Sequence, residues 1–297
     1  MKITLNVICL LLLVISSCGP FEKDRKALDT DLAKDAHSYA NFNDVRVSHI
    51  SLDLDTDFEK NILSGWAELS IVNYRGVKEL ILDTRDLDID SVKLDNESLT
   101  KYSLGEASDV FGQPLKIKIQ PTSKTVKVYY STRPESAALQ WLTPEQTFGK
   151  KHPFLFSQSQ AILARSWVPC QDGPGVKFTY DAKVKTDPSL IVLMSAENKT
   201  EKSPDGEYTF QMTQPISSYL LAIAVGDLNY QSTGRNSGVF AEPDMLSKSV
   251  WELQSMQSMI DSAEQLYGPY AWEQYDVVIL PPSFPFGGME NPRLTFA

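Results

Sequence analysis

The stretch PFGGMEN at residues 285–291 has residue types that could bind the end of a peptide. Gly287 and Gly288 lack a Cβ, which allows positive φ and lets another chain approach the backbone closely. An exposed strand edge at this place could pair with an extended peptide as an added strand. Glu290 would then offer a carboxylate to a free α-ammonium group, through a strong charge-assisted hydrogen bond. The alternative is a glycine turn whose glutamate is merely solvated.

Reactive side chains elsewhere do not suggest a second catalytic centre. Cys170 is the one cysteine that lies outside the N-terminal region. A catalytic cysteine needs a histidine partner, and the three histidines stand at positions 37, 49 and 152. We therefore interpret Cys170 as a small packing residue.

Composition limits the classes of partner. The chain has 297 residues, 42% of them hydrophobic, which is enough to bury a substantial core. Its formal charge is −10, whereas nucleic-acid binding depends on clustered lysines and arginines. We expect no nucleic-acid partner.

The N-terminus resembles a bacterial lipoprotein signal. Lys2 precedes an apolar run at 5–15, and small serines then precede Cys18. The run is shorter than the roughly 20 apolar residues that span a bilayer. We therefore expect residues 1–17 to be a signal peptide, Cys18 to carry lipid and residues 18–38 to form a charged tether. The protein would be exported and anchored to a bacterial membrane, facing the periplasm or the exterior; an ordinary secretory signal is the alternative.

From about residue 39, apolar and polar residues alternate in short runs separated by turn-prone residues. The parity of the alternation changes between Val47 and Ile50, which predicts either a bulge or a twist between two strand segments. Clean alternation returns between Val176 and Val184. Many short strands with turn signals predict stacked antiparallel sheets, and we assign residues 39–228 to one large all-β domain.

A different pattern follows Gly234. Apolar residues between Met245 and Tyr267 recur at spacings of three and four, which predicts an amphipathic helix that begins near Pro243 and ends near Gly268. The apolar run YDVVIL at 275–280 predicts a strand that leads into the glycine motif.

The motif GGMENP at 287–292 resembles the substrate-binding motif of gluzincin zinc aminopeptidases, the aminopeptidase N type, whose members carry Gly-x-Met-Glu-Asn. The stretches FSQSQA at 156–161 and VPCQDGPGVKFTYDAKV at 168–184 resemble the leukotriene A(4) hydrolase/aminopeptidase branch of that family. The resemblance extends from about residue 39 to 297. It implies a mainly β fold, with a large saddle-like antiparallel β-sandwich domain at 39–228. The α/β start of a thermolysin-like catalytic domain would follow at 229–297.

The resemblance also assigns substrate-binding roles. Glu290 would hold the amino terminus of the substrate, and the backbone of the two glycines would contact the scissile region. Gln158 and Gln160 would reach into the same site, with Gln160 beside Glu290; alternatively, both are surface polar residues on a strand. The residues assigned to substrate binding are Gln158, Gln160, Pro285, Phe286, Gly287, Gly288, Met289, Glu290 and Asn291. Phe286 stands where the branch often has tyrosine, so a hydroxyl contact is lost.

Zinc aminopeptidases of this family use a His-Glu-x-x-His helix and a later glutamate, and the sequence contains no such motif. We expect the chain to be the front portion of a longer zinc-dependent aminopeptidase that removes N-terminal residues from peptides. One zinc ion, its ligands, the general base and a catalytic tyrosine would lie beyond Ala297, so this portion alone would be inactive. The alternative is a non-catalytic lipoprotein that binds peptides or a partner at the cell surface.

Overall fold

The structure, a computed structural model, describes residues 32–95, 97–285 and 287–297. By their contacts the residues divide into two units, Met1–Lys34 and Asp35–Ala297. The predicted signal peptide, Cys18 and most of the predicted tether lie outside the described residues. Within those ranges, no helix combines the length and the apolar composition needed to cross a membrane.

Nineteen strands and two α-helices build the described part of the chain. The strands are β1 (Val45–Asp57), β2 (Ile62–Asn73), β3 (Glu79–Thr84), β4 (Leu87–Leu94), β5 (Ser98–Leu99), β6 (Tyr102–Leu104), β7 (Gln113–Lys118), β8 (Thr125–Thr132), β9 (Leu139–Leu142), β10 (Phe154–Ser157), β11 (Lys177–Lys185), β12 (Ile191–Met194), β13 (Glu207–Ser217), β14 (Ile223–Gly226), β15 (Asn229–Ser232), β16 (Ser237–Ala241), β17 (Tyr275–Val278), β18 (Met289–Asn291) and β19 (Leu294–Phe296). The helices are α1 (Pro243–Glu252) and α2 (Met256–Tyr267). The predicted mainly β fold is therefore confirmed.

The largest sheet has seven strands in the order β13-β11-β1-β2-β8-β4-β5. Its pairs are antiparallel except for β1 and β11, which run parallel. The register of β1 against β2 shifts between Val47 and His49, which confirms the predicted bulge. Alternate residues of β1, among them Ile50, Leu52 and Leu54, are buried on one face. The period of two in the sequence thus follows the division between core and solvent.

Two smaller sheets pack against the same core. One has the order β12-β14-β10-β9, and the other has the order β3-β7-β6. Every residue of β10, β12 and β14 is buried, as expected of strands covered on both faces. One hydrophobic cluster joins all three sheets, so β10 has a rigid setting.

A buried charge network fixes the segment between β10 and β11. The guanidinium of Arg165 is fully buried and donates to Asp172 Oδ2 at 2.9 Å through Nε. Its Nη1 lies 3.8 Å from Asp83 Oδ1, and Nη2 donates to the carbonyl of His37 at 2.9 Å. Burial raises the pKa of Asp172, and the positive charge of Arg165 opposes that rise. The network ties the start of the compact unit to β3 and to the approach to β11.

The fourth sheet has five strands in the order β15-β16-β17-β19-β18. Strands β16, β17 and β19 run parallel, while β18 turns back antiparallel to β19. Its first strand begins at Asn229, where the sequence predicted a new domain. By contacts, Asp35–Ala297 form one compact unit, which does not separate the two predicted domains. The division at residue 229 stays a prediction.

The single helix predicted between residues 243 and 267 is wrong, since the structure divides it into α1 and α2. The N–H of Met256 donates to the carbonyl of Leu253 at 3.0 Å, a tighter turn than the i→i−4 bond of an α-helix. The apolar spacing continues across this break, so the periodicity could not reveal it. The predicted ends agree, with Pro243 in the first turn of α1 and Gly268 at the end of α2 with φ 90°.

Candidate functional site

The glycine motif leads into the edge strand of the five-stranded sheet. Within the described residues, β18 pairs with β19 and with no other strand. Met289 and Asn291 are each 4% exposed, whereas Glu290 between them points outward and is exposed. An edge strand keeps one row of backbone N–H and C=O groups free of sheet partners. The structure therefore places an exposed carboxylate on a strand that could accept another strand.

A tight turn of Pro292 and Arg293 connects β18 to β19. Arg293 has φ 66°, in the left-handed region that non-glycine residues rarely adopt. Its carbonyl accepts a hydrogen bond from the N–H of Asp276 at 3.1 Å. This bond fastens the turn of the hairpin to β17.

The proline-rich loop before the motif is held against the core. The N–H of Phe284 donates to the carbonyl of Pro281 at 3.0 Å, closing a turn. The ring of Phe284 contacts that of Phe156 edge to face, with centroids 5.6 Å apart. Because Phe156 lies in β10, this contact makes the motif loop and β10 neighbours.

The two predicted glutamines follow β10 directly. Gln158 is half-buried, and its N–H donates to the carbonyl of Ala138 at 2.8 Å. Gln160 is exposed, and the Gln160–Ala161 peptide bond is cis. Ser159 between them is buried, and its hydroxyl donates to the carbonyl of Leu221 at 2.8 Å. The buried serine fixes the backbone from which both glutamine side chains project.

The side chains assigned to substrate binding do not form a closed network. In the described ranges, no hydrogen bond or ion pair joins the Glu290 carboxylate or the amides of Gln158 and Gln160 to another side chain. The structure therefore brings β10 and the motif loop together without placing Gln160 in hydrogen-bond contact with Glu290. An unpaired, exposed carboxylate remains available to a ligand cation.

The glycines have open space beside them. A Cβ added at Gly287 would meet no described atom within 4 Å, and one at Gly288 would lie 3.5 Å from the carbonyl oxygen of Phe296. Gly288 does not take the positive φ that a glycine allows. Pro285 beside them is exposed, and Phe286 lies outside the described residues. The space beside both glycines would allow another chain to approach their backbone closely.

Two buried charged residues, one in the turn of the hairpin and one in β17, have no role in the sequence-based prediction. Asp276 in β17 is 5% exposed, and burial raises its pKa to about 6 despite hydrogen bonds from Gln274 at 2.7 Å and Tyr230 at 3.4 Å. Arg293 is 5% exposed and forms an ion pair with Glu273. The lone aspartate in the apolar run YDVVIL was a signal for the first of these. Arg293 has no local signal, because its partner lies 20 residues earlier.

No metal-binding cluster lies in the part of the chain that the structure describes, because no three His, Cys, Asp or Glu side chains come together to hold an ion. These residues therefore do not provide a zinc site. Cys170 is buried, and burial raises the pKa of its thiol well above the usual value. That environment suits a packing residue and opposes thiolate chemistry.

Comparison with protein families and with known proteins finds relatives of the chain. Residues 41–220 match the model of the Peptidase M1 N-terminal domain. The chain is 42% identical over 274 residues to leukotriene A-4 hydrolase of Xenopus laevis, covering 88% of this chain and 45% of that protein. It is 40% identical over 271 residues to leucine aminopeptidase 2 of Yarrowia lipolytica, covering 89% of this chain and 41% of that protein.

Solved structures agree with the sequence relatives. Native yeast LTA4 hydrolase superposes with a TM-score of 0.84 at 33% identity, covering 94% of this chain and 44% of that one. The yeast enzyme in complex with bestatin gives a TM-score of 0.83 with the same identity and coverage. The chain thus spans less than half the length of the relatives that it matches.

The predictions of a signal peptide, a lipid anchor at Cys18 and an exported bacterial lipoprotein are wrong on this comparison. The relatives come from Xenopus laevis and from fungi, and their names describe hydrolases and aminopeptidases. A short apolar run before a cysteine is a signal of few residues, so it is far less specific than identity extending over most of the chain. Residues 1–18 themselves lie outside the described residues.

Proposed function

The chain belongs to the Peptidase M1 N-terminal domain family, and from that premise we propose that it forms the front of a zinc-dependent aminopeptidase. The complete protein would remove N-terminal residues from peptides. Relatives named leukotriene A-4 hydrolase and leucine aminopeptidase 2 support a hydrolase of this class. The observation that carries the proposal is the exposed, unpaired carboxylate of Glu290 on an edge strand.

The free edge of β18 is the proposed track for the peptide backbone. An extended peptide can add to a sheet edge through main-chain hydrogen bonds, which are indifferent to side-chain identity. The open space at Gly287 and Gly288 would let the peptide backbone lie close to the motif. Pro285, which is exposed, and the backbone of Met289, whose side chain is buried, would complete the wall of the track.

Glu290 is the proposed receptor for the substrate's amino terminus. Its carboxylate is unpaired in the described structure, so that binding an ammonium group breaks no existing ion pair. A charge-assisted hydrogen bond contributes about 1.5–3 kcal/mol, which corresponds to about 10- to 100-fold in affinity. Because Glu290 lies at one fixed place on the track, a peptide would bind most tightly with its amino terminus at that place.

Gln158 and Gln160 are the proposed second wall of the site. The contact between Phe156 and Phe284 supports this arrangement, because it holds the end of β10 beside the motif loop. Neutral amides would add hydrogen bonds to the ammonium group or the first carbonyl without competing for charge. Asn291, which is buried, would hold the shape of β18 rather than contact the substrate.

Residues 229–297 are proposed to open a thermolysin-like catalytic domain, with residues 39–228 as the N-terminal β domain. The zinc ligands, the general base and the catalytic tyrosine would then belong to parts of the complete protein outside this chain. When bound there, zinc would polarise the scissile carbonyl and activate water. The contribution of this chain would be to bind the amino terminus and align the peptide, which is the proximity part of catalysis.

The test is Glu290→Gln in the complete protein, assayed on aminoacyl substrates with a free amino group. We expect kcat/KM to fall by about 10- to 100-fold or more, from the lost charge contact. Glu201→Gln is the matched control, because Glu201 is exposed in the loop between β12 and β13, away from the motif. Equal kinetics for both variants would refute the assignment of Glu290.

A binding protein without catalysis is the remaining alternative. It would bind the same peptides and preserve the dependence on Glu290, but it would release them uncleaved. Product analysis by mass spectrometry with the complete, zinc-loaded protein separates the two. Shortening by single residues supports the aminopeptidase, and intact peptide after prolonged incubation supports the binding protein.

A further inference from the structure

Arg293 occupies an unusual position for an arginine. It lies in the two-residue turn of the β18–β19 hairpin, yet it is only 5% exposed and its backbone has φ 66°. Arginine is rarely buried, because removing its charge from water is energetically unfavourable. A solvated side chain at this turn would avoid that cost. The side chain instead turns inward, which calls for a reason beyond closing a turn.

The guanidinium contacts two other segments of the chain. Its Nη2 forms an ion pair with Glu273, which precedes β17, and lies 3.5 Å from Gln214 Oε1. Gln214 belongs to β13 of the seven-stranded sheet, and its Nε2 donates to the carbonyl of Ala271 at 2.6 Å. The hairpin is therefore linked through one side chain to the seven-stranded sheet and to the loop before β17.

The contacts of Arg293 are poorly arranged for stability alone. Its Nε is buried and has no hydrogen-bond partner among the described residues. A buried donor left unpaired is destabilising, because on folding it loses its hydrogen bonds to water and gains none. The side chain of Glu273 is 72% exposed, so this ion pair gains little from low dielectric. Together these features suit a side chain that fixes geometry more than one that adds stability.

We infer that Arg293 is a positioning residue for Glu290, holding the hairpin at a fixed place relative to β13 and the loop before β17. This inference rests on the proposed function. Glu290 stands three residues before Arg293, in the short strand that the turn closes, so a shift of the turn moves its carboxylate. Misplacement by about 1 Å is enough to cost about 100-fold in a reaction that depends on alignment.

A double-mutant cycle with Glu290 tests the inference in the complete protein. We expect Arg293→Met to lower kcat/KM on aminoacyl substrates by about 10-fold or more, mainly through KM, and Arg293→Lys to recover most of the loss. In a Glu290→Gln background, Arg293→Met should then have little further effect. Equal factors in both backgrounds would overturn the inference. Failure of the proposed function is distinguishable, since Glu290→Gln alone would then be without effect.

Hydrogen exchange on the complete protein gives a readout that does not depend on catalysis. Arg293→Met should speed exchange at amides of β18 and β19 and leave those of β11 unchanged. Glu273→Gln, which alters an exposed partner and keeps the arginine, should give a smaller change at the same amides and covers the case in which the methionine variant does not fold. Arg235→Met is the control, because Arg235 is exposed and pairs with Asp261 and Glu264. Unchanged exchange in the hairpin of both test variants would overturn the inference.

Discussion

Asp276 is expected to make the fold less stable at neutral pH than in acid, and Asp276→Asn should remove that loss. The carboxylate is 5% exposed in β17 and forms no ion pair with another described residue. Gln274 and Tyr230 donate hydrogen bonds to it, but burial outweighs them and raises its pKa from 3.8 to about 6. An asparagine oxygen could accept the same two hydrogen bonds without a charge.

The magnitude follows from linkage. Below pH 3.8 the aspartate is protonated in both the folded and the unfolded chain. As the pH rises toward 6, the unfolded chain loses the proton first, so the free energy of unfolding falls. Because one unit of pKa corresponds to about 1.4 kcal/mol, the loss from this group reaches about 3 kcal/mol above pH 6.

Urea unfolding of the wild type and Asp276→Asn at pH 4 and pH 7 measures this effect. Part of the loss is already present at pH 4, so the difference in free energy of unfolding should shift by about 2.4 kcal/mol toward the asparagine variant between the two pH values. Asp90→Asn serves as control, since Asp90 is exposed in β4 and its difference from wild type should stay nearly constant. A difference for Asp276→Asn that is equal at both pH values would refute the reasoning.

Two further predictions test the packing of the fold. Arg165→Met should cost about 3–5 kcal/mol in the free energy of unfolding, measured in urea, because it leaves the buried carboxylate of Asp172 without its cation; a loss below 1 kcal/mol would contradict this. Gly206→Ala should destabilise the fold more than Gly268→Ala, as measured by thermal unfolding. Both glycines have positive φ, but only at Gly206 would the added Cβ collide with backbone, 2.0 Å from the carbonyl oxygen of Thr186; equal losses would contradict the packing argument.

The strands were predictable because burial on one face of a sheet makes apolar residues recur with a period of two. In β11 the alternation around Tyr180 agrees with the buried face of the strand. The parity change in β1 likewise located the bulge near Val47. Strand direction was not predictable, since parallel and antiparallel neighbours bury the same alternate residues. The parallel pairing of β1 with β11 therefore appears only in the structure.

In the helical region, the apolar periodicity did not predict where a helix ends. The spacing of three and four between Val250, Leu253 and Met256 continues through a turn that separates α1 from α2. Apolar periodicity records which side faces the core, and both helices face it. A break between two helices that keep the same side toward the core does not change the spacing of the apolar residues.

For the candidate site, the motif predicted a strand edge and an exposed Glu290, and the structure has both. Gly288 does not use the positive φ that a glycine allows, so close approach of another chain stays the prediction for it. The burial of Arg293 could not be predicted, since its contacts with Glu273 and Gln214 depend on how distant segments pack. Local patterns thus indicated the residue proposed to meet a ligand, but not the one proposed to position it.

Recognition of the substrate's amino terminus by Glu290 is tested most directly by a cycle of two ligands and two proteins. The affinity of the complete protein for a short peptide with a free amino terminus is compared with that for its N-acetylated form, in the wild type and in Glu290→Gln. We expect the wild type to prefer the free amino terminus by about 10- to 100-fold and the variant to lose that preference. An undiminished preference in Glu290→Gln would contradict the assignment.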